Sequence, residues 1–134
     1  MYKITSFFLL LFMFTSAQAQ DITIQNIEWN VSRVFNSVAG EINDTPQLII
    51  KEGSAIQWKE QNGVIKNTYA IEGTIGAWTN ISQPGSILFK VSSGSDDGNI
   101  LISKSGDITS IRITLVKGDT FEVFELTSES FKTL

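Results

Sequence analysis

Oxygen-bearing side chains are densest between Ser93 and Asn99, where the chain reads Ser-Gly-Ser-Asp-Asp-Gly-Asn. Calcium takes oxygen ligands from such loops, which makes Asp96, Asp97 and Asn99 a candidate metal set. The spacing departs from D-x-[DN]-x-[DN]-G, and no acidic residue stands where an EF-hand loop would close. Asp, Asn, Ser and Gly are also the ordinary residues of a hairpin turn, and a plain turn is the favoured reading.

The chain holds no histidine and no cysteine. The usual zinc sets, histidine-dependent triads, thiol nucleophiles and internal disulfides are therefore excluded. Paired carboxylates are the hydrolytic chemistry that survives, because they need neither residue. Glu28, Glu41, Glu52, Glu60, Glu72, Glu122 and Glu125 are spread along the chain, and no spacing pairs any two of them. The expectation is a protein that is not an enzyme and needs no cofactor.

Trp29, Trp58 and Trp78 are the other residues that could do specific work. On one exposed face they would make a platform for sugar rings, but in a small domain tryptophans more often anchor the core. Trp58 has Gln57, Lys59, Glu60 and Gln61 around it, which marks it as the one nearest a rim. Asn30-Val31-Ser32, Asn43-Asp44-Thr45 and Asn80-Ile81-Ser82 match the N-glycosylation triplet, which matters only in a host with that machinery.

The elements that must position these residues are strands. Beyond residue 20, isoleucine and valine far outnumber leucine and alanine, the reverse of a helical composition. Ile87, Phe89 and Val91 alternate with polar residues, as do Ile100 and Ile102, then Ile111, Ile113 and Leu115, then Phe121 and Val123. Short Gly/Asp turns separate these runs, which predicts four consecutive antiparallel strands. Leu88, Leu101, Val116, Phe124 and Leu126 fall on the opposite face, which fits a sheet that curls or is partly covered.

The first half is less regular. Asn62-Gly63 predicts a two-residue type I′ hairpin, with Ile56 opposite Tyr69 and Trp58 opposite Asn67. Val31, Val34, Phe35 and Val38 carry helical spacing, but β-branched residues are poor helix formers, and strand or irregular chain is favoured. The expected strands are Ile22–Trp29, Gln47–Glu52, Ile56–Gln61, Val64–Ile71, Ala77–Ile81, Ile87–Ser92, Asn99–Ser103, Ser110–Val116 and Thr120–Leu126.

The first residues differ from all of this. Lys3, an apolar run from Phe7 to Phe14, and Ala17-Gln18-Ala19 form the pattern of a Sec signal peptide cut after Ala19. The apolar run is far shorter than the ~20 residues a membrane span needs. Residues 20–134 then make one all-β domain of about 115 residues, periplasmic or extracellular. With 9 basic and 14 acidic residues, this part lacks the basic footprint that nucleic acid or an anionic membrane surface requires.

Eight or nine antiparallel strands must curl, and sequential pairing favours an up-and-down barrel over a two-sheet sandwich. A small barrel can enclose one ligand, as lipocalin-type barrels do. The lipocalin Gly-x-Trp hallmark is absent near the mature start, and Gly76-Ala77-Trp78 lies mid-chain, so this likeness is one of architecture alone. The resulting expectation is a binder of an apolar small molecule, with Trp58, Tyr69, Phe89, Ile102, Ile113 and Phe121 as contacts. The alternative is a module that docks on a protein or glycan through Leu88, Leu101, Phe124 and Leu126.

Overall fold

A computed structural model describes residues 21–42 and 47–134. The predicted signal peptide over 1–19 and the Asn43-Asp44-Thr45 triplet lie outside the described residues. Among the described residues nine strands follow in chain order: β1 (Ile27–Asn36), β2 (Gly40–Ile42), β3 (Gln47–Glu52), β4 (Ala55–Glu60), β5 (Ile65–Ile75), β6 (Gly85–Ser93), β7 (Asp96–Ser105), β8 (Ile108–Lys117) and β9 (Thr120–Thr133). All neighbours are antiparallel, and β9 returns to pair with β1. The result is a closed eight-stranded up-and-down barrel with β2 as an extra strand.

Both β2 and β3 pair with β1, at Val34–Asn36 and at Ile27–Val31 respectively. They therefore occupy the same side of β1, one beyond the other. Register shifts around Asn30, Val31 and Arg33 bend β1 where it meets β9, as bulges do where a sheet must curve. The stretch with helical spacing is thus strand as far as Asn36, consistent with its β-branched residues.

Four hairpins share one turn chemistry. Gly53-Ser54, Gly94-Ser95, Gly106-Asp107 and Gly118-Asp119 are two-residue loops between directly paired residues. Glycine takes a positive φ of 57° or 61° at the first position, and among the described residues no non-glycine residue has positive φ. That is the type II′ pattern, whose twist matches that of the flanking strands. The tight Gly94-Ser95 turn leaves Asp96, Asp97 and Asn99 within β7 rather than in a long loop.

The Asn62-Gly63 hairpin departs from expectation. Only Gly63 has positive φ; Gly63 N–H donates to Glu60 O, and Glu60 N–H to Val64 O. The loop is therefore the three-residue Gln61-Asn62-Gly63, not a two-residue type I′ turn. A bulge beside Trp58 absorbs the added residue, so Trp58 still faces Asn67 and Ile56 still faces Tyr69.

Two expected strands are different structures. The first strand begins at Ile27, not Ile22, because residues 22–25 form a turn. Ala77–Ile81 belongs to the loop between β5 and β6. Both segments close one end of the barrel, the base. Ile22, Trp78 and Ile81 are buried there, and Ile22 N–H donates to Trp78 O at 3.1 Å. Trp78 lies against Gly85 so closely that a Cβ at that position would overlap its indole.

A lysine secures this closure. Lys51 is buried, and its Nζ donates to the carbonyls of Thr23 and Gln25, each at 2.9 Å. Burial pulls its pKa below the ordinary lysine value, and the Asp21 carboxylate partly restores it. The ammonium thereby ties the chain before β1 across the base. Lys51→Met removes both bonds, so the Ile22 amide should exchange at least about tenfold faster while the Ile100 and Ile113 amides hold. Hydrogen exchange followed by NMR reads this difference.

Candidate functional site

Interior-facing side chains alternate along each strand. Ile27, Trp29, Ile49, Ile56, Tyr69, Ile87, Phe89, Ile100, Ile102, Ile111, Ile113 and Leu126 form the packed core. In the last strand the sequence-based phase is reversed. Phe124 pairs with Ile113 and Leu126 with Ile111, which puts both on the inner face. Phe121 and Val123 pair with Val116 and Thr114 on the outside, and Phe121 is 68% exposed. Apolar residues stand on both faces of this strand, so alternation alone does not set its phase; the register with β8 does.

The end opposite the base is the mouth, ringed by the hairpins β1–β2, β4–β5, β6–β7 and β8–β9. A pocket of about 220 Å³ opens there, lined by Ile42, Trp58, Lys66, Asn67, Tyr69, Leu115, Lys117, Glu122 and Phe124. Trp58 and Phe124 form its aromatic wall, with ring centroids 5.0 Å apart and planes at 84°. This edge-to-face contact is the favoured geometry for two quadrupoles. Trp58 Nε1 donates to Gln47 Oε1 at 2.9 Å, which fixes the indole. Lys66 Nζ lies 5.5 Å from the Trp58 ring centre, within cation–π range.

The polar part is built from β5. Asn67 Oδ1 accepts from Thr68 N–H at 2.9 Å and from Ser93 Oγ at 2.6 Å. Tyr69, two residues along the same face, is completely buried, and its hydroxyl has no hydrogen-bond partner among the described residues. Burial pushes that hydroxyl up to about 12; the nearby Asn67 side chain pulls it down without reaching hydrogen-bond alignment, and the Glu122 carboxylate pushes it further up. At the rim, Lys117 Nζ is 3.9 Å from Glu122 Oε2.

The structure thus brings two of the sequence-derived candidates, Trp58 and Tyr69, into one pocket. Phe89, Ile102 and Ile113 pack into the core instead, and Phe121 points outward. The proposed docking set is split: Leu126 is 1% exposed in the core and Phe124 walls the pocket, while Leu88 and Leu101 face each other across β6 and β7. Asp96 and Asp97 are successive strand residues on opposite faces of β7, so they do not converge on one ion. Among the described residues no cluster of three or more His, Cys, Asp or Glu side chains forms. All three tryptophans are buried, and they do not form an exposed platform.

Asn67 and Phe124 were missing from the sequence-derived contacts of the ligand site. Asn67 was within reach of parity, because it stands two positions from Tyr69 on one strand face. Phe124 was not, because the phase of β9 is set by its register with β8 and not by alternation. Comparison with protein-family models, curated proteins and solved structures finds no match to this chain.

An unpartnered buried hydroxyl has a measurable cost, about 1–3 kcal/mol. Tyr69→Phe should therefore leave the ligand-free protein at least as stable at neutral pH, gaining up to roughly 1 kcal/mol. The alkaline limb should differ more. Because the folded-state pKa is raised, the contribution of neutral Tyr69 is complete below pH 10 and is lost as pH rises through about 12. That loss amounts to roughly 2–3 kcal/mol in the wild type and is absent from Tyr69→Phe. Lys51 shifts in the opposite sense, its burial being relieved as pH rises, so urea unfolding of the two proteins from pH 9 to 12 isolates the tyrosine.

Proposed function

We propose that this chain is an exported, non-catalytic binding protein that carries an apolar small molecule in the barrel mouth. The observation that carries this reading is the pocket of about 220 Å³ walled by Trp58 and Phe124. A concave, largely apolar surface with a few convergent polar groups is the usual form of a small-molecule site. The core below it is packed, so the ligand enters the mouth and not the length of the barrel.

The distribution of charge supports carriage over chemistry. No histidine or cysteine is present, and among the described residues Glu122 is the one carboxylate lining the pocket. Two cooperating carboxylates, the route that remains without histidine, are therefore not assembled there. The surface also suits water. Arg33–Glu41, Arg112–Glu125 and Lys132–Glu28 ion pairs lie on the outside while isoleucines fill the inside. A barrel embedded in lipid has an outward apolar band instead. Among the described residues no helix is long and apolar enough to cross a membrane. With the Sec-type leader, these features favour a periplasmic or extracellular carrier.

Native mass spectrometry of the protein, purified gently from its own cells, tests this reading. The expected result is a small-molecule adduct that is lost on denaturation and is reduced in Trp58→Ala. A clean ligand-free mass at dimer size would overturn it in favour of a docking module.

A further inference from the structure

The polar end of the mouth pocket has more hydrogen-bond donors than the protein itself uses. The amide orientation of Asn67 is set by Thr68 N–H, which can only donate, so the atom that it meets at 2.9 Å is the side-chain oxygen. Ser93 Oγ adds a second bond to that oxygen at 2.6 Å. The Asn67 Nδ2 group is therefore left as a donor on the same strand face as Tyr69. The Tyr69 hydroxyl is buried and has no partner among the described residues. Tyr69 itself lines the pocket, together with Asn67 and Glu122.

Resting on the carrier reading above, we infer that the pocket takes a compact single-ring molecule bearing a neutral acceptor oxygen, such as a ketone, aldehyde or amide carbonyl. The ring packs against Trp58 and Phe124, and the oxygen receives hydrogen bonds from Tyr69 Oη and Asn67 Nδ2. Volume sets the size: a cavity of about 150 Å³ holds benzene, so about 220 Å³ holds one ring with a short substituent. Charge sets the neutrality. Glu122 already raises the cost of negative charge at the hydroxyl, and a carboxylate placed there would also give up its hydration. A purely apolar ring fits the same volume but leaves the donors as unmet as they are without a ligand, whereas an acceptor oxygen gains the hydrogen bonds.

Three probes of nearly equal shape separate these cases: acetophenone, α-methylstyrene, in which a CH₂ replaces the carbonyl oxygen, and benzoate. Each is titrated into the purified protein by calorimetry, with the Asn67 side-chain amide and Trp58 indole signals followed by NMR. Acetophenone should bind about tenfold more tightly than α-methylstyrene, and also more tightly than benzoate. In Tyr69→Phe that preference over α-methylstyrene should shrink to about twofold or less, while α-methylstyrene binds as before. Equal affinity for acetophenone and α-methylstyrene in the wild type overturns the acceptor inference and leaves the carrier reading standing. Tighter binding of benzoate overturns the neutrality of the ligand. If no probe binds, the single-ring inference falls, and the carrier reading is then decided by the adduct measurement alone.

Discussion

Pairing of β1 with β9 turns a ribbon of consecutive hairpins into a barrel, and the rest of the molecule takes its dimensions from that closure. An open sheet of this length would present two unpaired edges and an unprotected apolar face. Closure removes both liabilities, since each strand of the barrel finds a partner on either side. The register shifts around Asn30, Val31 and Arg33 allow it, bending β1 so that it meets β9 along nearly its whole length. Eight strands enclose a space that side chains just fill. A packed core therefore follows from strand number, and room for anything else is confined to the ends.

The two ends are finished differently, and that asymmetry locates the site. At the base, the chain before β1 and the long loop between β5 and β6 fold inward, burying Ile22, Trp78 and Ile81. Lys51 holds this cap by its ammonium, a buried charge satisfied by two backbone carbonyls. At the mouth, by contrast, several hairpins are only two or three residues long, too short to fold over the opening. The inner face is left open between Trp58, Asn67, Tyr69 and Phe124. A polar group there can remain unmet by the described residues, as Tyr69 Oη does.

Much of the fold was legible because its determinants are local. Alternation over Ile87–Val91, Ile100–Ile102 and Ile111–Leu115 reports the inward face directly, and glycine before Ser or Asp marks most of the tight turns. Pairing of Ile56 with Tyr69 and of Trp58 with Asn67 followed from the hairpin signal, although a longer loop and a compensating bulge produce it. Legibility failed where the local pattern was double-valued. Ala77–Ile81 reads as a strand yet lies in the loop that closes the base, because the burial of Trp78 against Gly85 outweighs its strand propensity. Phe121 and Val123 alternate as well as Phe124 and Leu126 do, and only the pairing with β8 selects which pair is inside.

Composition and short-range pattern determined, without coordinates, an all-β chain of consecutive antiparallel strands with no thiol or imidazole chemistry. Tertiary structure alone decided that Trp58 and Phe124 form one wall, that Tyr69 and Asn67 form its polar end, and that Lys51 latches the base. The physical reason is the range of the interactions involved. Strand period and turn chemistry act over two to four neighbouring residues. The pocket instead joins β2, β4, β5, β8 and β9, whose separation in space is set by register and by closure of the sheet.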